Sequence, residues 1–152
     1  MHSGQARQLA GSEYAERRAA VEAAELELGP LRLRTDPADA DELADPVLRR
    51  RARHVIGENA RVRTAVDALC AGDLAAVGEA MAGSHRSLRA DFNVSTPVLD
   101  DLVARLAATP GVIGARLTGA GFGGCVVALT EPGALDEGWL VRPADGARLL
   151  SG

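Results

Sequence analysis

The sequence predicts an α+β domain, with helices packed on one face of a small antiparallel sheet. Three observations carry that prediction. Ahead of the Thr109-Pro110-Gly111 break, apolar residues recur at steps of three and four, the helical repeat. Beyond it, Ile113, Ala115 and Leu117 alternate with Gly114, Arg116 and Thr118, the period-2 pattern of a half-buried strand. Cys125 to Leu129 is then a short apolar run of the kind found in strands buried on both faces. Helices first and strands after describe an α+β layer arrangement. Apolar residues make up 47% of the 152-residue chain and aromatic residues only 3%, so the core is built from Leu, Val and Ala.

Residues 1–10 are small and polar, and are expected to be disordered or poorly ordered; residues 11–152 form the expected domain. Ser12 fits an N-cap, and Glu13 and Glu16 suit the positive end of a helix. That helix runs to Leu28, where Gly29-Pro30 stops it, and Tyr14, Val21 and Leu28 share one face. Thr35 to Asp45 is acidic and reads as a loop with one helical turn at Asp39 to Ala44. The main helix follows from Pro46 to Cys70, with Pro46 at a first position that tolerates proline. Leu48, Ala52, Val55, Asn59, Val62, Val66 and Leu69 form its expected buried stripe. Arg49, Arg50, Arg51, Arg53, Arg61 and Arg63 lie off the stripe and read as a solvated face. His54 and Glu58 sit at i, i+4; one such pair without a third ligand reads as a helix-surface contact, not a metal site.

Gly72 ends the main helix and Asp73 caps the next, whose inner face is Leu74, Val77, Met81, His85 and Leu88. His85 on such a face reads as a satisfied, partly buried histidine with no catalytic role. Asp91 to Ser95 breaks that helix. Thr96-Pro97 opens another, with Val98, Leu99, Leu102, Val103 and Leu106 as its apolar face. After the two strands, Trp139 to Arg142 is expected to be a last strand, followed by a turn at 143–147 and Arg148 to Leu150.

Between the two central strands, Gly119, Gly121, Gly123 and Gly124 fall within six residues. A turn this rich in glycine leaves backbone N–H groups bare, and an anion or another loop can approach it closely. Its residues formally fit G-x-G-x-x-G, but a dinucleotide site needs a helix to open directly after the glycines, and a strand opens here. No Lys-Ser/Thr follows, which excludes the P-loop. A tight hairpin with no ligand is the plain alternative.

T-G-A-G-F-G-G-C, preceded by G-V-I-G-A-R-L, resembles the third signature motif of the GHMP small-molecule kinases, and within them the galactokinases. Three further segments resemble galactokinase segments in the same order: S-E-Y-A-E-R-R (Ser12 to Arg18), R-A-R-H-V-I-G-E-N (Arg51 to Asn59) and S-H-R-S-L-R-A-D-F-N-V-S-T-P-V-L-D (Ser84 to Asp100). The resemblance runs from about Arg7 to the end. It implies the C-terminal, ferredoxin-like domain of that family, and hence ATP-dependent phosphorylation of galactose at its 1-hydroxyl with Mg2+.

Carried over by residue, the resemblance implies that Tyr14 contacts the sugar. It also implies that Gly119, Ala120, Gly121, Phe122, Gly123 and Gly124 form a turn beside the phosphate loop. The family's sugar-recognition motif, phosphate loop and catalytic aspartate and arginine lie upstream of the matching segments and do not occur here. The resemblance therefore assigns no catalytic residue, no metal ligand and no complete ligand site to this chain. It implies that the chain is inactive without a missing N-terminal half, joined to it or separate, as partner. The family also usually carries a helix before the final strand. Glu131 to Gly138 holds about two turns at most, so one side of the sheet is expected to be thinly covered. Two other functional readings stand beside this one: another GHMP sugar kinase, and a non-catalytic small-ligand or subunit-interaction domain.

Composition narrows the classes further. The net charge of −4 argues against nucleic acid as main partner. Cys70 and Cys125 show no C-x-x-C or zinc spacing and suit a reducing cytosol. No signal peptide or apolar run of transmembrane length is read, so the expected location is cytoplasmic, with no membrane partner.

Overall fold

A computed structural model describes residues 1–6, 11–144 and 146. It comprises α1 (Gly11–Leu28), short 3-10 turns at Leu31–Leu33 and Pro37–Glu42, α2 (Pro46–Ala71), α3 (Leu74–Ala90), α4 (Pro97–Ala107), β1 (Val112–Thr118) and β2 (Cys125–Thr130). β1 and β2 pair antiparallel, with Leu117 opposite Val126 and Thr118 opposite Cys125. The architecture is α+β, as the sequence predicts.

Helix ends follow local chemistry. The Asp45 carboxylate accepts from the N–H groups of Val47 and Leu48 at 2.6 and 3.2 Å, with Pro46 next in line. Gly72 closes α2 in the left-handed region at φ 72°, and Asp73 caps α3 through Ala76 N–H at 3.0 Å. The Thr96 hydroxyl caps α4.

The apolar core has two parts. Leu88, Val94, Leu99, Leu102, Val103, Leu106, Ala115, Leu117 and Val126 join the ends of α3 and α4 to the sheet. Ala24, Leu31, Ala40, Leu43, Ala52 and Ile56 join α1 and the 3-10 turns to α2. α3 lies against β1 at a glycine pair: a Cβ on Gly78 would stand 2.2 Å from the Ile113 carbonyl oxygen, and one on Gly114 would stand 2.8 Å from Gly78 Cα.

Two expectations are corrected. Trp139 to Arg142 is not a strand, and Trp139, Leu140 and Val141 are exposed. The outer edge of β2 is taken at its Gly124–Val126 end, by residues at the start of the chain. Met1 and Val126 exchange both backbone hydrogen bonds at 2.8 and 2.9 Å, Ser3 N–H donates to Gly124 O at 2.8 Å, and Gly124 N–H donates to Gln5 O at 3.0 Å. The turn expected at 143–147 and Arg148 to Leu150 lie partly or wholly outside the described residues, as do residues 7–10.

The stripe on α2 is the second. Ala52 is fully buried and Leu48 and Val55 half-buried, but Val62, Val66 and Leu69 are exposed. α1 and the 3-10 turns cover only the N-terminal half of α2. α3 covers a different side, where Arg51 and His54 are buried and Glu58 is half-buried. Arg51 is thus no part of a solvated face, and His54 and Glu58 make no surface contact.

Candidate functional site

The turn between β1 and β2 departs from ordinary backbone at five residues. Gly119, Gly121, Phe122, Gly123 and Gly124 take φ values of 86°, 82°, 58°, 116° and 87°. Gly121 is fixed by contact as well as by dihedral: an added Cβ would lie 2.2 Å from Val94 O and 2.7 Å from Val94 Cβ. Phe122 N–H donates to the same Val94 oxygen at 2.8 Å. The N–H groups of Ala120, Gly121 and Gly123 find no acceptor among the described residues. Bare N–H groups in a run of positive-φ residues form the kind of concavity that holds anionic oxygens.

Tyr14 stands on the first turns of α1, 54% exposed, with no hydrogen bond among the described residues. Arg17, three residues on, shares its side of the helix. The Arg17 guanidinium lies over the Phe122 ring, 5.6 Å from its centroid. It donates to the carbonyl oxygens of Phe92 at 3.0 Å and Asn93 at 3.2 Å. The α3–α4 loop that carries these carbonyls also carries Val94, against which the glycine turn rests. Tyr14 and the turn are therefore tied to one end of the molecule through Arg17.

A buried polar network holds that loop from below. Arg51 donates to Asp91 O, while its Nε finds no partner among the described residues. The Ser87 hydroxyl donates to Asp91 Oδ2 at 2.8 Å, so its oxygen accepts from His54 Nδ1–H at 3.0 Å. His54 also stacks on Phe92, with ring centroids 4.4 Å apart. Burial, opposed in part by the nearby Glu58 charge, pushes the His54 pKa down to about 4, so the ring is neutral near pH 7. Burial by itself would raise Glu58. Hydrogen bonds from Ser84 at 2.7 Å and from Arg61, with the Arg61 charge, hold it below its ordinary value instead. Burial lowers His85 as well; its Nε2 lies 3.3 Å from Asp100 Oδ1, and its Nδ1 accepts from Leu117 N–H.

Two cavities lie elsewhere. One, of about 550 Å³, opens between α3, α4 and the Val112 end of β1. The other, about 740 Å³, lies over β2 beside Leu106, Leu135 and Trp139, on the side expected to be thinly covered. Neither is lined by Tyr14 or by the turn. Among the described residues no group of three or more His, Cys, Asp or Glu side chains could hold a metal ion.

Residues 65–139 match the family model described as GHMP kinases C terminal. The chain is 46% identical over 144 residues to the galactokinase of Chloroflexus aggregans, a match covering 89% of this chain and 37% of that protein. It is 42% identical over 160 residues to human galactokinase, covering 93% of this chain and 41% of that protein. A crystal structure of Lactococcus lactis galactokinase complexed with galactose superimposes with a TM-score of 0.75 at 37% identity, over 85% of this chain and 36% of the other. The chain belongs to the galactokinase family. It corresponds to a C-terminal portion of these sugar kinases and spans roughly two fifths of the length of the curated relatives named here.

Against that family background, Arg17, Arg51 and the 91–95 loop are residues that sequence reasoning missed as site-builders. Arg17 lay in plain view within the S-E-Y-A-E-R-R segment, three residues from Tyr14. What hid it was its partners, two backbone carbonyls 75 and 76 residues away.

Proposed function

We propose that this chain supplies the C-terminal part of a galactokinase that transfers the γ-phosphoryl group of ATP to the 1-hydroxyl of galactose, in the cytoplasm and with Mg2+. Tyr14 contacts the sugar. The turn from Gly119 through Ala120, Gly121, Phe122 and Gly123 to Gly124 packs beside the phosphate-binding loop. One observation carries the reading: a sharply constrained glycine turn, several of whose N–H groups find no acceptor among the described residues, tied by Arg17 to the helix that presents an exposed Tyr14. Phosphoryl transfer depends on positioning and on donors aimed at phosphate oxygens, with little covalent work for the protein. The turn supplies donors of that kind. No residue of this chain is assigned as the group that orients or deprotonates the attacking hydroxyl, so the chain by itself is inactive.

A complementation assay tests this. The chain is mixed with a separately expressed galactokinase N-terminal half, and galactose-dependent ADP release is followed, with each piece alone as control. Turnover is expected only in the mixture. Turnover by the chain alone would overturn the assignment of its missing parts. Silence in a mixture of demonstrably folded pieces would favour a non-catalytic interaction domain. In the active mixture, Tyr14→Phe is expected to raise the galactose KM about tenfold, the effect of losing one hydroxyl contact of about 1 kcal/mol or slightly more. The ATP KM is expected to stay unchanged. A galactose KM equal to that of the unsubstituted chain would remove Tyr14 from the sugar site.

A further inference from the structure

The position of Arg17 is hard to explain by helix stability. It is the seventh residue of an 18-residue helix, past the first turn, so the helix dipole gives a cation there nothing. Its ion pair with Glu16 is long, at 3.5 Å, and Glu16 is largely exposed. The side chain is nonetheless only 12% exposed, because it reaches across to the α3–α4 loop and the glycine turn. There it makes two hydrogen bonds to carbonyls and covers the Phe122 ring. Phe122 and Asn93, both beneath this guanidinium, are the non-glycine residues with positive φ among the described residues. Such backbone persists only where its surroundings over-determine it. The Arg17 contacts converge on both of these residues.

We infer that Arg17 is a positioning residue: its guanidinium holds the Phe92 and Asn93 carbonyls and covers the Phe122 ring, and so fixes the glycine turn relative to Tyr14. Tyr14 and Arg17 are three residues apart on α1, about 4.5 Å along its axis. This rests on the proposed reading that Tyr14 and the turn face a single site. Lysine replaces the guanidinium only in part: it keeps the charge and can reach a carbonyl, but it lacks the planar fork that holds two carbonyls in fixed geometry and covers a ring.

Two measurements test the inference, and the first needs no activity. Amide hydrogen exchange is followed on the isolated chain for Arg17→Met and Arg17→Lys. The Phe122 N–H, bonded to Val94 O, is expected to exchange about tenfold faster in Arg17→Met, while the Leu117 and Val126 amides of the sheet keep their protection. Arg17→Lys is expected to fall between, and it serves as the test should Arg17→Met not fold. Unchanged Phe122 exchange in a folded variant, or equal acceleration across the sheet, would overturn the positioning role.

The second measurement uses the complemented mixture. Loss of positioning is expected to raise the galactose KM about tenfold, with the ATP KM within about twofold and partial recovery in Arg17→Lys. A purely structural role would lower the yield of active enzyme and leave both KM values alone, which would sink the link to Tyr14. Because exchange is read on the chain by itself, a failed complementation overturns the kinase reading without touching the result for the turn.

Discussion

Replacing Gly121 with alanine is expected to destabilise the chain by about 3 kcal/mol, a large part of the ~5–15 kcal/mol typical of a domain. Two terms add. At φ 82° any L-residue is strained by about 1–2 kcal/mol. The new methyl group would also lie 2.2 Å from Val94 O and 2.7 Å from Val94 Cβ. Neither neighbour is the free end of a flexible side chain. Val94 O accepts the Phe122 amide, and Val94 is 1% exposed within the sheet core. The strained backbone therefore has to move, with a further loss of about 1–3 kcal/mol. Gly133→Ala is the control. Its φ of 79° is nearly the same, and nothing lies within 4 Å of the added carbon, so it should show the dihedral term alone, about 1 kcal/mol. Urea unfolding of the three chains decides the matter. Equal shifts for Gly121→Ala and Gly133→Ala would show that the Val94 contact is slack and that the loop does not hold the turn.

Local chemistry made much of this fold legible. Pro46, Gly72-Asp73 and Thr96-Pro97 are start and stop signals whose effect is complete within a few residues, and each delimits a helix as expected. The hairpin was equally open to reading, because a period-2 segment, a glycine run and an apolar run have few other solutions. What could not be read was which side of a helix its neighbours cover. Val62, Val66 and Leu69 continue the apolar spacing of Ala52 without a break, yet the elements that cover α2 stop short of them. The last strand failed for a similar, non-local reason. Trp139 to Arg142 has strand-like composition, but the β2 edge at Gly124 and Val126 is occupied by residues 1–6.

The candidate site divides along the same line. Its glycines stand out as a dense glycine run, and Tyr14 is singled out by the resemblance of the S-E-Y segment. Arg17, Arg51 and His54 carry no such mark. Arginines on a helix usually face water, and the acceptors that reverse this for Arg51 and Arg17 are carbonyls of the 91–93 backbone. His54 is concealed in the same way, since Ser87 comes 33 positions later and nothing in the spacing announces it.

That histidine gives the second large effect: the chain is expected to lose stability as the pH falls from about 6.5 to about 4. In the unfolded chain His54 takes up a proton near its ordinary value of 6.5; in the fold it does not do so until about 4. Between those values the unfolded state binds more protons than the native state, so unfolding becomes easier as acid is added. The contribution is complete above pH 6.5 and gone below 4, and the interval corresponds to about 3 kcal/mol. His85 and Glu58, both lowered, act in the same direction. His54→Asn separates the contributions. Its side-chain amide can still donate to Ser87 Oγ, but it cannot titrate and does not stack on Phe92. The variant should be less stable at pH 7 and show a much flatter slope of unfolding free energy between pH 6.5 and 4. Parallel slopes in the two chains would mean that His54 stays solvated enough to protonate in the fold. The neutral ring, donating through Nδ1 to Ser87 and stacked on Phe92, would then not be what supports the loop under the glycine turn.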